Sequence, residues 1–383
     1  MSNDVVAHFS RLVAANLPAG TRIVAGAAVN GLPPHCRYWL IAPRALPAVL
    51  VPQAGPMARP LIGTIAESEQ EAAILDAVVS GRPSDPPALA VGFAFPRAAR
   101  WPILDRDADN LVLAWWVGTR KYLIVFVRTD DARPLAIAKR PLSAAVLENC
   151  AKEHALLAAF AARGLEVAPA ALASGTLAGA VSPVSSRYFL QEFLAGAPVP
   201  DPGLEAFVGF LKSLRQDGRT TSARAMAKAL DARIGGLRVG DESKRRLARL
   251  LGTVRDDRRQ PAAVVHGDLG SRNLHAAQDG RLVAIDWEYA DSCGLGFLDL
   301  VDRITSARLG EGARSFADVF GEAERATLAR FRPAFFDGEA PPMPELVALH
   351  LAKSYIDRVE TVEGVKGARM ARLESLLRAG WPF

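Results

Sequence analysis

The sequence is poor in cysteine and has no long apolar segment. Its three cysteines, Cys36, Cys150 and Cys293, lie far apart without a CxxC pair, which argues against a disulfide framework and a structural zinc site. The longest uncharged run, residues 167–186, is interrupted by prolines and glycines, so we expect no transmembrane segment. The N-terminus has no basic start before an apolar core, so we expect no signal peptide. Together these absences predict a protein of the reducing cytoplasm.

A strong charge of one sign is also missing. Lys plus Arg number 46 and Asp plus Glu 41, an excess of 5 that is too small to define a nucleic-acid binder. We therefore expect no nucleic-acid partner. Hydrophobic residues make up 50% of the 383 positions, which allows a large core and predicts two or three domains.

Residues 1–105 are predicted to form an N-terminal α/β module. Residues 37–43 and 48–52 have the composition of strands, and residues 68–81 have helical spacing and end in glycine. No chemical motif occurs in this part of the chain. The module is either an accessory domain or an elaborated edge of the main domain.

After residue 105 the pattern changes to consecutive strands and then to helices. LVLAWWVG, KYLIVFV and PLAIAK, joined by short polar links, predict an antiparallel meander. A helix over residues 146–164 follows, with Leu147, Ala151 and Leu157 near one face, and two further strands precede a long helical part. This order predicts an α+β fold with a β-rich lobe over 106–195 and a helical lobe over 196–383. One β-like insert, residues 261–291, is expected to interrupt the helices.

The polar residues of this insert have the spacing that phosphoryl transfer requires. His266, Asp268 and Asn273 give H-x-D-x4-N, the spacing of a kinase catalytic loop, in which the aspartate is the base and the asparagine binds Mg²⁺. Asp286 closes the next apolar run and takes the place of the second metal carboxylate. An isolated H-x-D is more often a turn that caps backbone N–H groups. Here four positions match together, which favours catalysis; His275 lies outside the pattern and is interpreted as a surface or packing residue.

HGDLGSRNL, followed by IDWEYAD, resembles the aminoglycoside phosphotransferase and choline kinase-like family, a branch of the protein kinase-like fold. The order of elements agrees over about residues 111–383, and the resemblance is specific over 264–302. It implies that Asp268 is the catalytic base and that Asn273 and Asp286 hold Mg²⁺. It also implies transfer of the γ-phosphate of ATP or GTP to a hydroxyl. Asp299 matches a position that supports the family's active site.

The same resemblance predicts a lysine and a glutamate that act together on the nucleotide phosphates. Lys139 ends the third strand of the meander, and Glu153 lies inside the following helix. Glu148, on the same helix, is the competing partner. An exposed lysine at a strand end and a solvated helix glutamate are commonplace, so each assignment alone is weak.

Two other segments are expected to touch the nucleotide. Residues 117–121 form the predicted phosphate-covering loop, with Gly118 as a contact, although the loop lacks G-x-G-x-x-G and an ordinary hairpin turn explains it equally well. YFLQEFLAG resembles the hinge between lobes, where backbone groups near Gln191 and Phe193 would meet the base; an edge strand is the alternative. Arg215 stands where the family's helix often has histidine.

The acceptor is expected to be a small molecule or a glycan. Residues 215–259 contain 13 Lys and Arg against 6 Asp and Glu, which favours a neutral or anionic acceptor over a polycation, although solvated helix faces explain the same excess. A kinase-fold pseudoenzyme that binds a nucleotide or a protein partner is the alternative function. A metal hydrolase built on His266 and Asp268 lacks the further ligands that such sites use.

Overall fold

The computed structural model describes residues 16–41, 49–55, 58, 69–82, 88–117, 121–178, 182–194, 198–199, 201–270, 272–313, 315–361 and 368–378. The described residues belong to two compact units, one within 1–161 and 169–195 and the other within 162–168 and 196–383. The first unit is rich in strands and the second is mainly helical. The predicted α+β class is therefore confirmed.

The described elements of the first unit, in chain order, are β1 (Arg22–Ala25), β2 (Arg37–Ile41), β3 (Val49–Pro52), α1 (Glu69–Val79), β4 (Leu89–Ala94), β5 (Arg100–Trp101), β6 (Arg106–Asp107), β7 (Leu111–Val117), β8 (Lys121–Arg128), β9 (Pro134–Pro141), α2 (Ala144–Ala162), β10 (Ala171–Thr176), α3 (Pro183–Ser186) and β11 (Arg187–Glu192). Nine of these strands form one antiparallel sheet in the order β1-β4-β2-β3-β7-β8-β9-β11-β10. The predicted meander is the run β7-β8-β9 within it.

The strands that precede residue 105 continue the sheet of the predicted β-rich lobe. Leu50 of β3 pairs with Trp115 of β7, and Val49 pairs with Trp116, both antiparallel. One hydrophobic cluster spans both groups of strands, from Tyr38 on β2 to Leu190 on β11. The sheet and its core thus run across residue 105, as an elaborated edge of the β-rich lobe would give, and the domain division at this residue stays a prediction.

The helix α2 packs one apolar stripe inward, and this stripe contains a charged residue. Its buried positions are Val146, Cys150, Glu153, Leu157 and Phe160. These positions recur every three or four residues, which is the spacing of one helix face. The stripe begins one position earlier than the sequence pattern predicts, and Glu153 lies in its middle.

The described elements of the second unit are α4 (Leu204–Ser213), β12 (Arg215–Thr221), α5 (Ala223–Ile234), α6 (Asp241–Gly252), β13 (Gln260–Val265), β14 (Leu274–Ala276), β15 (Leu282–Ala284), β16 (Asp291–Gly294), α7 (Phe297–Gly310), α8 (Phe316–Val319), α9 (Glu322–Phe331), α10 (Met343–Thr361) and α11 (Ala368–Arg378). β12, β13 and β16 form a small antiparallel sheet, and β14 pairs with β15 as a hairpin.

One expectation for this unit is wrong. The helical part is interrupted twice, because β12 forms a strand next to β13, with Thr221 opposite Gln260 and Arg215 opposite Ala263. β12 carries polar side chains and a glycine in the left-handed region, Gly218 with φ +71°, so its sequence resembles a loop. Pairing to a buried neighbour supplies the backbone hydrogen bonds that the sequence pattern does not reveal.

The helix α10 lies at the centre of the second unit. Every residue from 346 to 358 is buried, including charged ones. A helix that is buried on all sides serves as a support for the elements around it. Among the described residues, no helix has the length and apolarity needed to cross a membrane.

Candidate active site

In the first unit, Lys139 and Glu153 form the predicted ion pair. The Nζ of Lys139 donates to Oε1 of Glu153 at 2.7 Å and to Oε2 at 2.8 Å. Both residues are buried, at 5% and 2% exposure. A doubly contacted pair in a desolvated place fixes the ammonium far better than a surface pair does. The structure confirms this contact, and its role toward a nucleotide stays a prediction.

The competing partner, Glu148, lies on another face of α2. Its carboxylate contacts Nζ of Lys152 at 2.8 Å, and both side chains are exposed. This i,i+4 pair lowers the pKa of Glu148, first through a hydrogen bond from Lys152. Glu148 is therefore an ordinary surface glutamate, and the choice between the two residues is Glu153.

The predicted hinge residues lie at the end of β11. Gln191 is 7% exposed and pairs with Ile137 of β9. Phe193 packs against the sheet core, and its backbone N–H donates to the carbonyl of Leu135 at 3.3 Å. That N–H is thus already used within the sheet, so contact with a nucleotide base through Gln191 and Phe193 stays a prediction. Gly118 lies outside the described residues.

In the second unit, Asp299 holds the start of the loop that carries Asp268. Its carboxylate accepts the backbone N–H of His266 at 2.7 Å through Oδ2 and that of Gly267 at 2.8 Å through Oδ1. Asp299 is fully buried in the first turn of α7. Burial raises the pKa of Asp299 to about 6, against the opposing effects of the His266 ring and the two N–H donors. The supporting role implied for Asp299 agrees with these contacts.

The imidazole of His266 is held by hydrogen bonds on both of its nitrogens. Its Nδ1 accepts the N–H of Asp268 at 3.3 Å, so Nε2 carries the proton that it donates to the carbonyl of Ile285 at 2.9 Å. The ring also packs on Trp287, with 4.5 Å between centroids. His266 therefore ties the segment of Asp268 to the segment of Asp286, and it acts as a structural residue.

The glycine between His266 and Asp268 is required by the backbone. Gly267 has φ +79°, a conformation that favours glycine. A Cβ at this position would lie 2.9 Å from the carbonyl oxygen of Tyr289 and 3.0 Å from Nζ of Lys353. The HGD pattern thus reflects both the turn and the close approach of a neighbouring loop.

Asn273 and Asp286 are neighbours at the end of the β14–β15 hairpin. The Nδ2 of Asn273 donates to the carbonyl of Asp268 at 2.9 Å, and its backbone carbonyl accepts the N–H of Ile285 at 2.9 Å. Asp286 has φ +62° and ψ +58°, the left-handed conformation that non-glycine residues seldom adopt. Such a conformation is a feature of functional sites, because the surroundings must hold it.

The donor set of these two residues fits Mg²⁺. The bond from Nδ2 of Asn273 fixes the amide, so Oδ1 is the atom that it offers to a cation. An amide oxygen and a carboxylate are hard ligands, and Mg²⁺ in phosphotransfer sites completes its shell with phosphate oxygens and water. In the part of the chain that the structure describes, no group of three or more His, Cys, Asp or Glu could hold a metal alone.

The structure adds one residue that the sequence pattern does not indicate. Arg358, on α10, donates through Nη2 to Oδ1 of Asp268 at 2.6 Å. Against the effect of burial, the charges of Asp268 and Asp302 hold the pKa of Arg358 above its usual range. The only sequence signal is a polar stripe at helical spacing on α10, namely His350, Lys353, Ser354, Asp357 and Arg358. A stripe of this kind is typical of a solvated face, and here it is buried.

Many arginines of segment 215–259 have carboxylate partners. Arg215 pairs with Asp337 and Arg233 with Asp357, each at 2.6 Å. Further ion pairs join Arg224 to Asp257, Arg245, Arg246 and Arg249 to Glu242, and Arg258 to Asp256. Of the partners named here, only Asp337 and Asp357 lie outside the segment, so most of its charge excess remains. The acceptor preference drawn from this excess stays a prediction.

Comparison with known proteins agrees with the motif. The family model described as "Phosphotransferase enzyme family" matches residues 123–334, more than half of the chain. This match confirms the resemblance drawn from HGDLGSRNL and IDWEYAD, and with it the protein kinase-like fold. Among curated proteins, no sequence matches the chain.

Several solved structures are similar at low identity. A type I macrolide 2'-phosphotransferase is 18% identical, with 70% of this chain and 92% of that chain covered and a TM-score of 0.44. Choline kinase LicA from Streptococcus pneumoniae is 14% identical, with coverages of 69% and 90% and a TM-score of 0.42. An ethanolamine kinase from Plasmodium vivax is 12% identical, with coverages of 85% and 93% and a TM-score of 0.44. Likeness at this level carries no information on the acceptor.

Proposed function

The chain belongs to the phosphotransferase enzyme family, and we propose that it moves the γ-phosphoryl group of ATP or GTP to a hydroxyl of a small molecule or glycan, with Mg²⁺. The observation that carries this proposal is the construction of the loop at Asp268. Asp299 holds its first two N–H groups, and Asn273 holds the carbonyl of Asp268 itself. A loop fixed at both ends presents one carboxylate in a defined position, which phosphoryl transfer requires.

In this proposal Asp268 is the base. Its side chain is 23% exposed, so it remains accessible to an acceptor although the loop around it is packed. The acceptor oxygen forms a bond to the γ-phosphorus while the bond from that phosphorus to the β,γ-bridging oxygen breaks. The nucleoside diphosphate leaves with the electron pair of that bond, and the hydroxyl proton passes to the carboxylate of Asp268.

Asn273 and Asp286 are proposed to hold the metal. When bound, Mg²⁺ supplies positive charge to the phosphate oxygens. The contribution of the chain is to join the two segments that carry these donors. The backbone N–H of Ile285 donates to the carbonyl of Asn273, and Asp286 is held in the left-handed conformation. These donors need no rearrangement at the time of reaction, which is the advantage of a preorganised site.

Lys139 is proposed to bind the phosphates of the nucleotide. A buried ammonium is stable only beside a compensating carboxylate, and Glu153 provides one with two contacts. The two contacts thereby fix the position of the Lys139 ammonium at β9. Gly118, Gln191 and Phe193 are proposed as further nucleotide contacts on the basis of the family resemblance.

A screen of hydroxyl acceptors tests this function. Purified protein is incubated with γ-labelled ATP or GTP, Mg²⁺ and a panel of sugars, glycans, acidic alcohols and polycationic aminoglycosides. We expect metal-dependent transfer of label to one class, with a neutral or anionic acceptor favoured. Nucleotide binding without transfer to any acceptor or to water would instead support a nucleotide-binding pseudoenzyme. Transfer to aminoglycosides alone would contradict the proposed acceptor class.

A further inference from the structure

We propose that Arg358 is a positioning residue for Asp268, so that the central helix α10 sets the direction of the carboxylate. This inference rests on the proposed role of Asp268 as base and adds a residue that lies far from the motif in sequence. Arg358 is not a catalytic residue in this proposal, because it acts through Asp268. Its function is to keep one oxygen of the carboxylate in place while the acceptor is bound.

The contact between the two residues is short and shielded. Nη2 of Arg358 lies 2.6 Å from Oδ1 of Asp268, and the side chains are 9% and 23% exposed. Most surface pairs of this chain are far more exposed, for example Arg245 with Glu242 at 64% and 50%. Screening is weaker in a buried place, so this pair exerts a stronger restraint than a surface pair does. A planar guanidinium also prefers a defined direction of approach to a carboxylate.

Arg358 is itself held on several sides. Its Nη1 donates to the backbone carbonyl of Ser354 at 3.2 Å, and its guanidinium carbon lies 5.4 Å from the centroid of the Tyr289 ring. The helix that carries it is buried on all sides from residue 346 to 358. A side chain that is fixed in this way can transmit the position of the helix to the carboxylate.

The same helix also contacts the segment that follows Asp286. Lys353, five residues before Arg358, donates through Nζ to the carbonyl of Tyr289 at 2.9 Å. That carbonyl is the atom that a Cβ on Gly267 would meet at 2.9 Å. Two cations of α10 thus contact the loop of the proposed base and the loop of the proposed metal ligand. The arrangement couples the two loops through one rigid element.

A purely structural ion pair is the alternative, and it makes a different prediction. Removal of one partner of a buried pair destabilises the fold whatever the pair does in the reaction. Loss of stability alone therefore does not separate the two cases. Both roles predict a loosened loop at Asp268. A positioning role also predicts slower turnover at saturating nucleotide with KM for ATP unchanged, whereas a structural role does not.

The test compares Arg358→Met and Arg358→Lys with the control Arg233→Met. Arg233 also forms an ion pair with α10, through Asp357 at 2.6 Å, but no contact joins it to Asp268 among the described hydrogen bonds and ion pairs. Two readouts are used on the full chain: hydrogen exchange of residues 264–275, and kcat and KM for Mg-ATP with water as the acceptor. Hydrogen exchange can be measured whether or not the protein turns over the nucleotide.

We expect Arg358→Met to raise exchange in the loop and to lower kcat on the order of 10- to 100-fold, with KM for ATP unchanged, because misplacement of a reacting group has effects of this size. Arg358→Lys should recover part of kcat. Arg233→Met should lower stability without either effect. If Arg358→Met and Arg233→Met behave alike in loop exchange, the inference is overturned. If the wild-type protein transfers phosphate neither to water nor to any acceptor of the panel, the proposed function fails, whereas unchanged loop exchange in Arg358→Met overturns the inference alone.

Discussion

The side-chain amide of Asn273 donates to the backbone carbonyl of Asp268 at 2.9 Å, so the proposed metal ligand also closes the loop of the proposed base. The two roles use different atoms of one side chain, Oδ1 for the metal and Nδ2 for the loop. Asn273→Asp keeps an oxygen ligand and removes the donor, whereas Asn273→Ala removes both. We expect Asn273→Asp to retain Mg²⁺-dependent nucleotide binding and to lose turnover, because a carboxylate would face the carbonyl that the amide holds.

The alanine variant is the matched comparison for this prediction. Asn273→Ala should weaken nucleotide binding in Mg²⁺ as well as turnover. Isothermal titration with a non-hydrolysable nucleotide, with and without Mg²⁺, measures the first property, and labelled phosphate release measures the second. Equal loss of metal-dependent binding in both variants would show that the amide has no separate role in the loop.

Two glutamates on α2 offer a matched pair for stability. Glu153→Gln leaves the ammonium of Lys139 buried without its counter-charge, which should lower the free energy of unfolding by on the order of 3 kcal/mol. Glu148→Gln removes an exposed i,i+4 pair with Lys152 and should change it by less than about 0.5 kcal/mol. Urea denaturation measures both. Similar losses in the free energy of unfolding for the two variants would contradict the assignment of Glu153 as the partner of Lys139.

Gly267 and Gly270 lie in the same loop but differ in backbone conformation and in surrounding space, so alanine substitutions at the two positions can be compared. Gly267→Ala places a Cβ at φ +79° and 2.9 Å from the Tyr289 carbonyl, so we expect it to lose about 1–3 kcal/mol from backbone strain, with the clash in addition. Gly270→Ala meets nothing within 4 Å and should leave stability unchanged or slightly raised. Thermal denaturation distinguishes them. A Gly267→Ala protein as stable as the wild type would contradict the close packing of the two loops.

The pKa of Asp299 predicts a pH dependence of stability. Burial raises this pKa from 3.8 to about 6, so the folded state binds the proton more tightly than the unfolded state does. The resulting stabilisation is present below the unfolded pKa and is lost as the pH rises through about 6, a change of about 3 kcal/mol. Asn at this position does not titrate. We therefore expect the stability of the wild type relative to Asp299→Asn to fall between about pH 4 and pH 7 in urea denaturation. A constant difference would contradict the raised pKa.

The parts of the site that are close in sequence could be predicted, because local spacing determines them. Asn273 follows Asp268 within the same loop, and Asp286 follows after a short hairpin, β14 and β15. For Lys139, the sequence leaves two alternative partners, Glu153 and Glu148. Glu148 and Glu153 are five positions apart and therefore lie on different faces of α2. Which of them contacts Lys139 depends on which face of α2 packs inward, and tertiary packing decides this.

The contacts that span long sequence distances could not be predicted. Arg358 lies 90 residues after Asp268, and its polar neighbours on α10 have the pattern of a solvated face. Their burial depends on how α10 packs within the second unit. β12 cannot be predicted for the same reason, since its polar sequence forms a strand only because β13 lies beside it. Tertiary packing overrides local preference in both cases.

The central claim, that Asp268 acts on the acceptor and Asp286 on the metal, is tested most directly by the same substitution at both positions. The affinity for Mg-nucleotide and the rate of phosphoryl transfer are measured for Asp268→Asn and Asp286→Asn. We expect Asp268→Asn to keep the affinity and to lose on the order of 10²- to 10⁴-fold in rate, the usual size of a base contribution. Asp286→Asn should lose rate and also bind the nucleotide more weakly in Mg²⁺. Equal effects of the two variants on binding, or transfer that survives in Asp268→Asn, would contradict the account.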